Sequence, residues 1–380
     1  MKKIRVALAG GGTGGHLFPG LALAEELRRR CPEAQLLLLC TERDEVYRAT
    51  AELGIESAVI PGSHRGSLLR RAPSLARAFV HSWRRLGRFR PHVVVGLGGY
   101  GSLAPVACAW LHSVPCILLE QNVVPGRANR LLSRLADEVE AQWEESVPRF
   151  PRPGRVRVTG NPVRGAIQRR DRAAVAAELG LDPTLPTLLV MGGSQGARPL
   201  NDLMASAAPI IATSGVRMQV IHLAGSADAE RLRASYEQYA LPAKVFGFLE
   251  DMALAYSACD LALSRAGGTS IAELTAVGIP AILVPYPHAA DDHQRLNASA
   301  LERRGAALVV EQATLSPHRL AHHLAELLGD RERLAAMGRQ SRLAAAPSAA
   351  SVIAERILEL ASSGNGKRPS PPQSAHERAA

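Results

Sequence analysis

An apolar strand pattern that runs into a cluster of glycines and then a helix constrains this chain more than any other feature. It appears first at Ile4–Leu27, IRVALAGGGTGGHLFPGLALAEEL. Ile4, Val6 and Leu8 suit a buried strand, and Ala22, Leu23 and Leu27 suit the apolar face of a helix. Glycines between the two let the backbone turn tightly and bring its N–H groups up to an anion or a sugar. Gly10, Gly12 and Gly15 also satisfy the dinucleotide fingerprint, with Glu42 after the apolar run Leu36–Leu39 as the ribose-binding acid. That fingerprint asks for no histidine after its last glycine, and His16 is expected to project from the helix mouth.

The same grammar returns along the chain. Val93–Val95 leads into Gly96–Ser102, Thr187–Met191 into Gly192–Ala197, and Leu261–Leu263 into Ser264–Ser270, which opens a helix carrying Glu273. Cys116–Leu119 ends in Glu120, Gln121 and Asn122, polar side chains at the carboxyl end of a strand, where open α/β sheets keep their ligands. A length of 380 residues makes two domains the default. The repetition predicts an α/β chain of two Rossmann-like domains facing across a cleft. Their expected limits are residues 1–160 and 161–361, with the hinge at Gly160–Arg164, where Asn-Pro starts a turn. Residues 362–380, rich in Gly, Pro and charge, read as a disordered tail.

Net charge is +10, which suits an acidic or phosphate-bearing partner. Five cysteines, Cys31, Cys40, Cys108, Cys116 and Cys259, show no ligand spacing and read as small core residues. The opening MKKIRVALA breaks into glycines and acids and is strand rather than signal sequence. No window approaches the roughly 18 apolar residues of a spanning helix, so the expectation is a soluble or peripheral protein. Arg65–Arg90 holds eight arginines, and no acid occurs between Glu56 and Glu120. Leu75, Phe79 and Trp83 recur there near helical spacing. An apolar stripe flanked by guanidinium groups suits an anionic bilayer, and equally a helix packed on the sheet with solvated arginines. Nucleic acid fits less well, because no reading module accompanies the charge.

Ser264–Glu273 carries the clearest chemistry. A helix N-terminus of small residues offers N–H groups and a positive dipole end to a diphosphate, and Glu273 can accept both hydroxyls of a ribose. Gln294 and Asn297 lie three apart, on one helical face, and an amide pair suits neutral hydroxyls. The chain has no Asp-x-Asp, which shifts leaving-group stabilisation from a metal to backbone dipoles and Arg265. Histidine titrates near neutrality, so His16 is the economical general base for an acceptor hydroxyl, with Glu120 orienting it or sharing the role.

GGGTGGH (Gly10–His16), GLGGYGS (Gly96–Ser102), EQN (Glu120–Asn122), GNPVR (Gly160–Arg164), GGSQGA (Gly192–Ala197), SRAGGTSIAE (Ser264–Glu273) and PYPHAADDHQRLNA (Pro285–Ala298) occur in this order. Together they resemble the bacterial family 28 glycosyltransferases that form peptidoglycan lipid II, over the whole chain to about Leu360. The resemblance implies a GT-B fold and an enzyme peripheral to the cytoplasmic face of the plasma membrane. The implied reaction is inverting transfer of GlcNAc from UDP-GlcNAc to the C4 hydroxyl of the muramoyl-pentapeptide on undecaprenyl diphosphate.

Carried over by position, Thr13, Gly14, Gly15, His16, Tyr100, Glu120 and Asn122 line the acceptor side, with His16 near the reaction centre. Arg164, Ser194, Gln195 and Asn201 fall on the donor side, and Leu249 places its backbone at the uracil. Arg265, Gly267, Gly268 and Thr269 hold the donor diphosphate, Glu273 the ribose, and Gln294 with Asn297 the GlcNAc hydroxyls. Leu68, Leu75, Phe79, Trp83 and Trp110 form the membrane patch, which favours the bilayer reading of the arginine-rich helix. The family's His-Glu-Gln-Asn is Leu119-Glu120-Gln121-Asn122 in this chain, so no second histidine is available as base.

The expected partners are anionic inner-leaflet lipid, the undecaprenyl-linked acceptor and cell-wall synthesis proteins, with no nucleic acid. No cofactor or metal is expected, UDP-GlcNAc being a substrate. The alternatives are a dinucleotide-dependent oxidoreductase and a GT-B transferase with another acceptor. The oxidoreductase leaves the repeated loops and the Gln294/Asn297 pair idle.

Overall fold

The computed structural model describes residues 3–11, 14–41, 50, 53–61, 68–193 and 196–362, with the backbone alone for 68–72. It divides into two compact units. One comprises Met1–Arg164 with the returning segment from Ala346, and the other is Gly165–Ala345.

The first unit is built on a seven-stranded parallel sheet. Its strands are β1 (Arg5–Gly10), β2 (Gln35–Cys40), β3 (Glu56–Val59), β4 (Val93–Gly98), β5 (Cys116–Glu120), β6 (Glu138–Ala141) and β7 (Val156–Val158), in the order β3-β2-β1-β4-β5-β6-β7. Successive residues point to opposite faces of a strand, and both faces are covered, so the strands read as unbroken apolar runs. Val6 and Leu8 join a core with the helix Gly14–Arg30 through Leu17, Leu21 and Leu27. Ala7 and Ala9 join the opposite core, with Ala78 and Leu86 of the helix Leu68–Phe89 and Val106 and Ala109 of the helix Leu103–Leu111. Chain order reverses between the neighbours β1 and β4, and the crevice beyond their carboxyl ends is where such sheets bind ligands.

The second unit repeats the plan. Strands β8 (Thr187–Met191), β9 (Gln219–Leu223), β10 (Ala243–Phe246), β11 (Leu261–Ser264), β12 (Ala281–Leu283) and β13 (Ala307–Val309) form a parallel sheet ordered β10-β9-β8-β11-β12-β13. Its reversal lies between β8 and β11, so the mouth after β11 is the equivalent ligand position.

The domain limits differ from the expected ones at the C-terminal end. The helix Ala349–Ser362 packs in the first unit, not the second: Ile353, Ala354, Ile357 and Leu360 share the core of Val6 and Leu8. Arg356 grips Glu138 of β6 from the same helix, with Nε 2.9 Å from each carboxylate oxygen. Burying three large aliphatic side chains contributes several kcal/mol (about 1.5–3 each), and the first sheet offers them a free face. The first crossing falls between Arg164 and Gly165, at the end of the Gly160–Arg164 motif. The five cysteines are all free.

Candidate functional site

At the carboxyl ends of β1, β4 and β5, three loops converge. Gly10 pairs with Gly98 in register, and a Cβ on Gly10 would stand 2.7 Å from Gly98 O. His16, in the first turn of the helix that follows β1, lays its imidazole on the Gly98–Gly99 backbone. A Cβ at Gly98 would meet His16 Cδ2 at 2.7 Å and Nε2 at 3.1 Å. Gly98 has φ +103°, a conformation that glycine adopts without strain. Gly14 and Gly15 open the same turn of that helix, and Tyr100 projects exposed from the second loop. Thr13, with Gly12 of the fingerprint, lies outside the described residues, as does Glu42.

Glu120 has a different setting from that expected of a catalytic partner to His16. It is 3% exposed and its carboxylate is spent on its own loop. Oε1 accepts from Asn122 N at 3.0 Å and Asn122 Nδ2 at 3.3 Å; Oε2 accepts from Gly126 N at 3.0 Å and Asn129 Nδ2 at 2.9 Å. Burial pushes its pKa up, against the lowering pull of these bonds. Glu120 is thus the knot that shapes residues 120–126, and Asn122 is held by it.

Two residues without an assigned role belong to the same knot. Asn129, from the next helix, also donates to Leu119 O at 2.8 Å. Gln121 donates from Nε2 to Leu97 O at 3.2 Å, while its buried Oε1 has no hydrogen-bond partner among the described residues and lies 3.6 Å from the point where a Gly98 Cβ would be. The EQN motif signalled Gln121, but only the fold brings it beside the His16 loop.

Arg164, expected on the donor side, belongs to the first unit, its guanidinium 4.7 Å above the ring of Phe18. On the helices Leu68–Phe89 and Leu103–Leu111, which pack together, Leu75, Trp83 and Trp110 are exposed, with Val80 and Leu111 beside them. Trp83 stacks on His112 with ring centroids 3.9 Å apart. Phe79 differs from the rest of the stripe, being half-buried against the core. The side chain of Leu68 lies outside the described residues.

In the second unit the helix Gly268–Val277 starts directly after β11. Gly267 caps it without a side-chain hydrogen bond, and its first turn carries no acid, so the positive end of its dipole is left to the mouth. Arg265 stands beside it, 6% exposed. Its Nη1 donates to Val284 O at 3.1 Å and Pro285 O at 3.2 Å, and its Nη2 to Gln312 Oε1 at 2.6 Å. No carboxylate pairs with this guanidinium among the described residues, and burial lowers its pKa. A buried cation held by neutral oxygens, with the Tyr286 ring 5.6 Å from it, beside a helix N-terminus, is a seat for an anion.

Glu273 sits in the second turn of that helix, 7% exposed, and the buried Tyr256 donates to its Oε2 at 2.7 Å. Tyr256 was invisible to motif analysis because the helix Met252–Ala258 supplies it from a separate stretch of chain. Thr269 is buried in the first turn. Leu249 precedes that other helix, which begins at Met252 with Asp251 as its cap, accepting from Ala253 N at 3.1 Å.

Gln294 and Asn297 do share a face, but they clamp the Arg265 loop. Gln294 Oε1 accepts from Ala266 N at 3.2 Å and Tyr286 N at 3.0 Å, and Asn297 Nδ2 donates to Ala266 O at 3.1 Å. Asn297 is fully buried, which places it behind the loop, and Gln294 is half-buried. Asn201 is also behind its loop. Its amide donates to Ala224 O at 2.8 Å and Asp228 Oδ2 at 2.9 Å, and its Oδ1 meets His222 Nε2 at 3.0 Å, the other ring nitrogen lying 2.7 Å from the Tyr236 hydroxyl. Ser194 and Gln195 lie outside the described residues.

Residues 6–140 match the glycosyltransferase family 28 N-terminal domain and residues 187–355 the family 28 C-terminal domain. The chain is 39% identical over 376 residues to the UDP-N-acetylglucosamine--N-acetylmuramyl-(pentapeptide) pyrophosphoryl-undecaprenol N-acetylglucosamine transferase of Pelobacter propionicus, covering 93% of this chain and 99% of that one. It is 41% identical over 366 residues to the enzyme of the same name from Nitratidesulfovibrio vulgaris, covering 94% and 97%. Among solved structures it resembles Acinetobacter baumannii MurG, with a TM-score of 0.74 at 30% identity over 94% of this chain and 99% of that one. A UDP-GlcNAc 2-epimerase from Neisseria meningitidis, at 14% identity and a TM-score of 0.67 over 94% of this chain and all of that one, shares the fold alone. With two parallel-sheet Rossmann-like units and both family domains present, the fold is GT-B, and the chain belongs to glycosyltransferase family 28.

Proposed function

We infer that this chain transfers GlcNAc from UDP-GlcNAc to the C4 hydroxyl of the muramoyl-pentapeptide carried on undecaprenyl diphosphate, converting lipid I to lipid II with inversion. The observation that carries the donor half is Arg265, a buried guanidinium with no carboxylate partner among the described residues, at the head of a helix whose cap makes no side-chain hydrogen bond. A nucleoside diphosphate supplies the missing negative charge, and Glu273, held by Tyr256, supplies the acceptor for ribose hydroxyls. The acceptor oxygen attacks the anomeric carbon, the bond from that carbon to the diphosphate oxygen breaks, and UDP leaves with the electron pair. His16 takes the hydroxyl proton in this scheme, and Gln121 and the loop shaped by Glu120 border it. Charge developing on the leaving diphosphate is met by Arg265 and the helix N-terminus, so the reaction runs without a divalent metal.

The relatives' names specify an undecaprenol-linked acceptor, which resides in a membrane. No helix among the described residues is long and apolar enough to cross one. Exposed Leu75, Trp83 and Trp110 beside Arg77, Arg84 and Arg88 suit peripheral attachment to the anionic inner leaflet.

The test is UDP release from UDP-GlcNAc with and without a lipid I analogue, with EDTA in parallel. Acceptor-dependent release that survives EDTA and collapses in His16→Ala and Arg265→Ala is the expected result. Turnover of NAD(H) in place of UDP-GlcNAc would return the oxidoreductase. Flotation of Trp83→Ser with phosphatidylglycerol vesicles checks the attachment, which should weaken relative to wild type.

A further inference from the structure

A second concave surface lies in the Gly165–Ala345 unit, away from the donor residues. A cavity of about 910 Å³ opens at the amino ends of β8, β11 and β12, bordered by Pro186, Asp260 and Pro280, the residues that precede those strands. The donor mouth is at the carboxyl end of β11, so the cavity is at the other end of the same sheet.

Five arginines line it: Arg169, Arg172, Arg331, Arg339 and Arg342. Three of these come from the helix Arg331–Leu343. That helix approaches the carboxyl end of the Gly268–Val277 helix through Gly338, where a Cβ would stand 3.2 Å from Gly278 O. Arg331, Ala335, Gly338 and Arg342 follow helical spacing along the bordering face.

Local structure accounts for only part of this charge. Arg172 is paired with Asp260, Nη2 to Oδ2 at 2.8 Å, and Asp260 is the one acid in the lining. Arg169 Nε and Arg342 Nη2 donate to Val277 O at 2.9 and 2.7 Å, closing the carboxyl end of the Gly268–Val277 helix. Arg331 and Arg339 have no such task. Among the described residues no carboxylate pairs with any of Arg169, Arg331, Arg339 or Arg342.

Between the arginines the lining is apolar, with Leu185, Pro186, Pro280 and Leu334 in it and Leu343 at the rim, 78% exposed. We propose that this groove docks an acidic, amphipathic helix of a partner protein, whose carboxylates meet the arginines while its apolar face covers Leu334 and Leu343. The combination selects the partner class. A nucleic acid would leave the apolar lining uncovered and finds no aromatic ring there to stack on. A bilayer is flat, and the lining has no Trp or Tyr of the kind that seats in headgroups. The chain's own residues 363–380 have the wrong sign, carrying Lys367, Arg368 and Arg378 against Glu377.

The probe is a fluorescein-labelled Glu/Leu amphipathic helical peptide of about 18 residues, followed by anisotropy on the full chain at physiological salt. Arg331→Glu/Arg339→Glu is compared with Arg303→Glu/Arg319→Glu, which makes the same charge change outside the groove. The groove pair should weaken binding at least about tenfold and the control pair less than about twofold, with Leu343→Gln weakening it about threefold. A peptide with Lys for Glu should not bind. UDP release should stay within about twofold of wild type in all three variants, as none is at the donor or acceptor loops. Equal losses in the two charge-reversed pairs would reduce the effect to net charge and overturn the proposal. So would a groove variant that binds the acidic peptide normally, or one that instead loses binding to phosphatidylglycerol vesicles while the peptide never binds.

Discussion

The imidazole of His16 rests on Gly98, so closely that a methyl group at residue 98 would stand 2.7 Å from its Cδ2. The second glycine loop is therefore the floor on which the histidine of the first is set. Gly98→Ala places a Cβ in that contact and in a backbone with φ +103°. It should cost about 1–2 kcal/mol of stability and lower kcat by an order of magnitude or more (roughly 10-fold) through displacement of His16. The Michaelis constant for UDP-GlcNAc should hardly move. Steady-state kinetics and a thermal melt separate the two effects.

Tyr256 donates to Glu273 at 2.7 Å from beneath the donor helix. Tyr256→Phe keeps the ring and removes the hydroxyl, leaving a buried carboxylate less well held. KM for UDP-GlcNAc should rise about tenfold or more, in line with roughly 1.5–3 kcal/mol for one hydrogen bond to a charged group, while kcat changes little. A fall in kcat at constant KM would place Tyr256 elsewhere in the cycle.

Asn201 is the donor-side expectation that the structure recasts. It is buried and joins His222, Ala224 and Asp228. Burial holds the His222 pKa down to about 3, so the ring stays neutral and needs both neighbours. Asn201→Ala should lower stability by about 2 kcal/mol because it strands a buried ring nitrogen. Kd for UDP-GlcNAc in the folded fraction should stay at the wild-type value, read by titration calorimetry well below the melting temperature.

Glu140 of β6 gives a pH prediction. It is buried, and burial raises its pKa from 4.5 to about 7, opposed by the Arg157 charge and a hydrogen bond from Thr159. A carboxyl raised in the folded state binds its proton there when the unfolded chain has already lost it. Its contribution to stability is therefore full below about pH 4.5 and falls as pH rises toward 7. Glu140→Gln should raise the melting temperature at pH 8, by the equivalent of about 1–3 kcal/mol, and have little effect at pH 4. Equal shifts at both pH values would rule out titration of Glu140 as the cause.

Local patterns were enough for much of this protein. Strand–glycine–helix units, read from Ile4–Leu27 and Ser264–Glu273, give the doubly wound architecture because periodicity, tight turning and helix polarity are properties of neighbouring residues. The same holds for Gly267–Thr269 at a helix mouth and for Glu273 one turn further on. What the tertiary structure decided involves residues far apart in the chain. It returns the helix Ala349–Ser362 to the first sheet, where Arg356 meets Glu138. It brings Tyr256 under Glu273 and seats His16 on Gly98. It turns Asn201 and Asn297 from ligand-facing amides into loop clamps, and Glu120 into the knot of its own loop. A sequence displays which side chains can hydrogen-bond; which of them are already satisfied is set by burial and by partners that only the fold supplies.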